Sequence, residues 1–319
     1  MGKTGLCILG ILLLLAACKS KKDVHQVGEF IPENERFWEV VSREAVLERI
    51  GIAFEFTEGP AWHPEGFLIF SDIPGNTIYQ WTEKKFPVFR SPTNHANGLL
   101  AEPDGSVLAC EHGSRSLTRY APDGEATVLI DNYRGRRLNS PNDLCKSSTG
   151  SIYFTDPPWG LEQRNEDPLK ELPYSGVYHF HEGTLSLIDS TLSWPNGLAL
   201  SPDERYLYVA NMEILVVNGE DEYQVHWMRY TLDDHGEVVE KTIFFTALDT
   251  SLPGGPDGMK VDQLGNLFVT GPGGILVVDS TGTHLGTIGI PIPATNLAFG
   301  PKEKELFITA RSTVYRLQL

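Results

Sequence analysis

A ring of six four-stranded blades, an all-β six-bladed β-propeller, is the fold that three observations predict. The 319-residue chain carries 31 Gly and 21 Pro, a turn-rich composition that favours many short strands over a helical bundle. One phrase recurs: a polar residue, a small or turn residue, an apolar strand, a Pro/Asp/Gly turn, and a second apolar strand with a small polar end. Its six copies begin at Glu58, Asn97, Asn142, Asn196, Asp257 and Asn296, spaced 39, 45, 54, 61 and 39 residues apart. A drifting period of this length fits blades whose outer loops vary in length.

The elements follow in chain order. Residues 1–18 read as a lipoprotein signal peptide: Lys3 precedes an apolar run from Leu6 to Leu15, too short to span a bilayer, and small residues lead to Cys18. "LAAC" (15–18) resembles a bacterial lipoprotein cleavage box, with Cys18 as the lipidated first residue. The body is therefore expected to be exported and lipid-anchored to a bacterial membrane, touching it only through Cys18. Residues 19–44 read as a tether and N-terminal arm, and residues 45–319 as the propeller domain. The last copy supplies only three strands, "NLAFG", "LFITA" and "TVYRLQL". A missing outer strand would leave an open edge. The segment "AVLERIGI" (45–52) has no blade of its own, so it is expected to join the C-terminal blade and close the ring.

Charge narrows the function. The net charge of −16, with no basic stripe, excludes nucleic acid as a partner. Cys110 and Cys145 sit in apolar runs and are expected as free thiols, and no Cys/His cluster has zinc spacing.

In a propeller the first strand of each blade lines the central channel, and its opening residue lies at one mouth. The six copy-starting residues should therefore converge on one axis, with His112, Asp156 and Asn211 further out at second-strand ends. Two carboxylates and several carboxamides cannot pack there as an apolar plug, because buried unpaired carboxylates cost several kcal/mol or take up protons. A divalent cation removes that cost. An all-oxygen donor set favours a hard ion, Ca²⁺ first and Mg²⁺ or Mn²⁺ as alternatives. Charge singles out Glu58 and Asp257, whereas chemistry alone does not rank Asn97, Asn142, Asn196 and Asn296. His112 is a candidate substrate contact. The polar loop 160–176 follows a second strand and is a candidate lid.

The chain resembles the senescence marker protein/gluconolactonase/luciferin-regenerating group, in its bacterial gluconolactonase branch, over roughly residues 45–319. The resemblance is carried by "FTEGPAW" (56–62), "RLNSPNDL" (137–144), "IYFTDPPWG" (152–160), "WPNGLALSPD" (194–203), "PDGMKVD" (256–262) and "TNLAFG" (295–300). It implies a six-bladed propeller that hydrolyses sugar lactones, with a divalent ion (Ca²⁺, or Zn²⁺ in some members) held by Glu58, Asn142, Asn196 and Asp257. Asn97, His112, Arg137 and Asn296 complete the expected site as substrate-binding residues. Some members place a substrate-binding Arg two residues before the first middle-blade Asn; here Ser140 occupies that position, and Arg137 is the candidate replacement. Asp257 is the expected general base toward water, with direct nucleophilic attack as the alternative. Hydrolysis of other lactones, esters or organophosphates, and a non-catalytic ligand-binding lipoprotein, are the competing readings.

Overall fold

Short apolar runs bounded by Pro, Asp and Gly become strands buried on both faces, as "IYFTD" (152–156) illustrates with five buried residues in a row. In the computed structural model, residues 28–83, 85–217, 220–247 and 249–319 are described, without the side chains of residues 214–223. The expected leader, Cys18 and the tether up to residue 27 lie outside the described residues.

The first described elements are β1 (Glu29–Pro32) and the one-turn helix α1 (Phe37–Val40), followed by β2 (Leu47–His63), β3 (Phe67–Asp72), β4 (Thr77–Trp81) and β5 (Val88–Arg90). A four-stranded sheet comes next, with β6 (Ala96–Ala101), β7 (Val107–Glu111), β8 (Ser116–Tyr120) and β9 (Ala126–Ile130). A small hairpin, β10 (Asn132–Tyr133) and β11 (Arg136–Arg137), precedes a second such sheet of β12 (Leu144–Lys146), β13 (Ile152–Asp156), β14 (Gly176–His181) and β15 (Thr184–Asp189). The third comprises β16 (Trp194–Leu200), β17 (Tyr206–Val217), β18 (Glu220–Leu232) and β19 (Val238–Thr246). The fourth comprises β20 (Met259–Val261), β21 (Leu267–Gly271), β22 (Gly274–Val278) and β23 (His284–Gly289), with β1 added antiparallel to β23. The chain ends with β24 (Asn296–Phe299) and β25 (Glu305–Gln318).

The expectation of six separate blades is corrected here. Five sheets of four or more strands form, because the first and last repeat units share one six-stranded sheet in the order β24-β25-β2-β3-β4-β5. The cause is β2, a 17-residue strand that pairs with β25 through Leu47–Ile52 and with β3 through Thr57–His63. Its register slips between Ile52 and Thr57, where Ala53 takes a left-handed φ of 71°. The architecture is an all-β propeller.

Its apolar interior is divided among wedges between neighbouring sheets. Leu108, Leu117, Leu144 and Phe154 fill one wedge, and Trp227, Met259, Leu267 and Leu276 fill another. The arm contributes to a third: Phe37, fully buried, packs with Ile275, Leu285 and Leu317. Burying a side chain of that size contributes about 1.5–3 kcal/mol. Pro32 on β1 limits further pairing at that edge. Cys110 is buried and Cys145 partly so; both are free thiols.

Candidate active site

Five of the six inner strands have an irregularity at their start, whereas β24 pairs in register from Asn296. The pairing register shifts between Glu58 and Ala61 on β2, between Ala96 and Leu99 on β6, and between Pro195 and Leu198 on β16. In β12 and β20 the ladder begins two residues after Asn142 and Asp257. Bulges of this kind re-aim side chains and are common beside functional sites.

Glycine at the second position lets one entrance pack on the next. A Cβ on Gly59 would stand 2.0 Å from the Asn97 carbonyl oxygen, and one on Gly197 would stand 2.3 Å from that of Asp257. The backbone joins the entrances directly: Gly98 N donates to Asn142 O at 2.8 Å, Gly197 N to Asp257 O at 3.0 Å, and Gly258 N to Thr295 O at 2.7 Å. Second-strand hydroxyls add further ties, from Ser71 to Asn97 O at 2.6 Å and from Thr155 to Asn196 O at 2.7 Å. Thr295 Oγ1 donates to Thr57 O at 2.7 Å, which closes the circuit. All six copy-starting residues thus lie around one axis.

Three carboxylates face this axis, one more than the repeat predicted. Glu58 Oε2 accepts from Gly59 N at 2.8 Å and from Asn296 Nδ2 at 3.2 Å. The same Asn296 amide donates to Asp143 Oδ2 at 3.2 Å, and Leu144 N donates to Asp143 Oδ1 at 2.9 Å. Asn196 hydrogen-bonds the Asp257 carboxylate, while its own Oδ1 is buried with no partner among the described residues. Burial, and then the charge of Asp143, push Glu58 up to about 7. Asp257 is held well above the usual carboxylate range by burial and by the charges of Glu58 and Asp143. Burial raises Asp143 too, and Lys260 pulls Glu58 and Asp143 only partly back.

Asp143 is the axial acid that the repeat does not single out: the second position is Gly in four of the six copies and Asp only in "SPNDL" (140–144).

The remaining candidates separate. Asn142 is buried, and its main chain is fixed by Gly98 and by Thr155, whose carbonyl accepts from Asn142 N at 2.8 Å. Asn97 Nδ2 lies 3.2 Å from His112 Nε2, and burial lowers His112 to about 4, so the imidazole is neutral at pH 7. Arg137 is not brought onto the carboxylates: it is exposed, and its guanidinium donates at 2.6 Å to the carbonyl of Ser114. Asp156 is structural, accepting from Asn139 N and Ser140 N at 2.8 Å each. A cavity of about 470 Å³ lies toward the other end of the inner strands, lined by Leu99, Leu198, Lys260 and Phe299, and does not include the carboxylates.

Comparison with known proteins bears on this geometry. The family model described as "SMP-30/Gluconolactonase/LRE-like region" matches residues 56–312. A gluconolactonase of Zymomonas mobilis is 37% identical over 325 residues, covering 95% of this chain and 89% of the relative. A pentonolactonase of Haloferax volcanii is 26% identical over 268 residues, covering 79% of this chain and 80% of the relative. The solved structure of a gluconolactonase from Xanthomonas campestris superposes with a TM-score of 0.80 at 32% identity, covering 93% of this chain and 96% of that one.

Proposed function

Because the chain belongs to the SMP-30/gluconolactonase/LRE-like family, we propose that it is a lactonase that hydrolyses sugar lactones at the axial carboxylate ring. The observation that carries the reading is the gathering of three buried acids at the strand entrances: Asn296 bridges Glu58 and Asp143, and Asn196 hydrogen-bonds Asp257. A channel lining kept only for packing would not hold three acids together at that cost.

The residues fit a divalent cation. Asn196 Oδ1 is an orphaned buried acceptor, and burial and mutual repulsion push Glu58 and Asp257 toward their neutral forms, a shift that a nearby positive charge would reverse. Among the described residues no group of three His, Cys, Asp or Glu suffices to hold an ion, so amide oxygens must share the task. Glu58, Asn142, Asn196 and Asp257 are the proposed ligands, with Ca²⁺ first and Mg²⁺, Mn²⁺ or Zn²⁺ as alternatives. A bound cation would polarise the lactone carbonyl oxygen. The chain's own contribution is positional and protolytic. Asp257, as the carboxylate, accepts a proton from the water that attacks the carbonyl carbon; the ring C–O bond breaks and the departing alkoxide takes up that proton. Neutral His112, tied to Asn97, offers hydrogen bonds to sugar hydroxyls without adding charge.

Two features of the chain's ends belong to the same reading. Pairing of Leu47–Ile52 with Thr313–Leu317 is the proposed closure of the ring, supported by Leu47 opposite Leu317 in the ladder. Residues 1–18 are the proposed signal, with Cys18 anchoring an exported body formed by residues 45–319.

A panel of sugar lactones in a pH-indicator assay tests the function. Turnover that falls about 10²–10⁴-fold in Asp257→Asn is expected. Wild-type rates in that variant would remove Asp257 from the mechanism, and indifference to thorough chelation would remove the cation.

A further inference from the structure

Beyond the carboxylate ring, the mouth holds a second feature that the repeat does not explain. Loop 160–176 follows β13, whose end lies on the face of the strand entrances. It is anchored rather than loose. Gly160 N donates to Ser140 Oγ at 2.8 Å, Arg115 Nη1 donates to Leu169 O at 2.8 Å, and Asp167 accepts from Gln163 N and Leu169 N. A Cβ on Gly160 would stand 2.6 Å from His112 Cβ, so the loop's root packs directly on that histidine.

Within the loop, Arg164 opens a short 3₁₀ turn at a left-handed φ of 54°. For a non-glycine residue that conformation costs on the order of 1–3 kcal/mol and is concentrated at functional sites. The guanidinium carbon lies 4.6 Å over the Trp159 ring, and Trp159 lies 4.3 Å from Trp194 at an interplanar angle of 31°. Trp194 stands two residues before Asn196 on β16. The layers Arg164, Trp159 and Trp194 therefore lead from the loop to the ring.

Arg164 also differs from Arg115 and Arg137 in what it leaves unspent. Arg115 and Arg137 donate to backbone carbonyls. Arg164 is exposed and, among the described residues, its guanidinium makes no ion pair or hydrogen bond. Its positive charge is nonetheless felt at His112. A planar guanidinium oriented on an aromatic face, with its donors free, is suited to bidentate recognition of a carboxylate or of neighbouring oxygens.

We propose that Arg164, held on the Trp159–Trp194 stack, is the residue that orients the hydroxyl-bearing end of the sugar lactone and of the aldonate product while the carbonyl carbon lies at the axial ring. This rests on the lactonase reading. Arg164 is a positioning residue and takes no part in proton transfer.

Steady-state kinetics on a hydrolysed sugar lactone, with sodium gluconate as product inhibitor, test the proposal. Arg164→Ala should raise KM and the gluconate inhibition constant about tenfold each, the scale of one charge-assisted hydrogen bond, with kcat within about twofold. Arg164→Lys should recover only part of both, since it keeps the charge and loses the planar fork. Arg229, which stacks on Tyr206 and Phe244 in the β16–β19 sheet, supplies the control. Arg229→Ala should change neither constant. Wild-type turnover with unchanged KM and gluconate inhibition in Arg164→Ala overturns this proposal alone, as does an equal effect from Arg229→Ala. Failure of the wild-type protein to open any lactone overturns the lactonase reading and this proposal with it.

Discussion

At the residue scale, the site is defined by a conflict among like charges. Glu58, Asp143 and Asp257 are buried at one axis, and each is pushed toward its protonated form by burial. That conflict fixes a pH dependence. With Glu58 at about 7 in the folded chain against an ordinary 4.5, the folded state retains a proton that the unfolded state releases. Stability of the cation-free protein therefore falls as pH rises from about 4.5 through about 7, and the loss is complete above that window. Melting curves after chelation should show a lower Tm at pH 8 than at pH 5.5. Added Ca²⁺ should raise Tm more at pH 8, where the carboxylates are free to bind it. A chelated protein equally stable at both values would mean that the three acids are not confined together. Asp143→Asn should flatten the pH dependence by removing one of the repelling charges.

At the element scale, what positions these residues is the close approach of neighbouring strand entrances. Gly197 N donates to Asp257 O at 3.0 Å, and a methyl group at Gly197 would lie 2.3 Å from that same oxygen. Gly197→Ala must therefore move the Asp257 entrance. Because displacements of about 1 Å can cost about a hundredfold in rate, kcat/KM should fall by that order while far-UV circular dichroism stays unchanged. A fully active Gly197→Ala enzyme would show that the entrance tolerates the shift. The N-terminal arm behaves differently. Phe37 lies outside the repeat units and is fully buried in the wedge with Ile275, Leu285 and Leu317. Phe37→Ala should cost about 3–5 kcal/mol of stability, read by denaturant unfolding, with the KM of the surviving enzyme unchanged.

At the scale of the whole molecule, residues distant in sequence must meet for the ring to exist. Leu47 and Leu317 face each other across β2 and β25, and both are buried. Each Leu→Ala change should cost about 2–5 kcal/mol, and the double variant should cost less than the sum because the two share one contact. Additive losses would indicate that the two strands are not held by that pair. The long β2 also explains why the strands form five sheets where six separate blades were expected: one strand serves both the first and the last repeat unit. Sequence spacing counts units, whereas hydrogen bonds decide where one sheet ends.

The sequence by itself determined the repeat, and with it the common start of every unit and the identity of most axial residues. This is because period and turn chemistry are local properties, written in "SPNDL", "WPNGLALSPD" and "GGPDGMKVDQLG". Only the tertiary structure decided which neighbours those residues acquire. It added Asp143 to the acids, because a side chain in the second position reaches the axis only once Asn296 is brought beside it across 153 residues. It turned Arg137 toward the Ser114 carbonyl and stacked Arg164 on Trp159, choices set by loop packing that no spacing rule encodes. It joined the first unit to the last through β2, whose pairing with β25 brings together residues more than 250 positions apart, a choice that chain order does not encode.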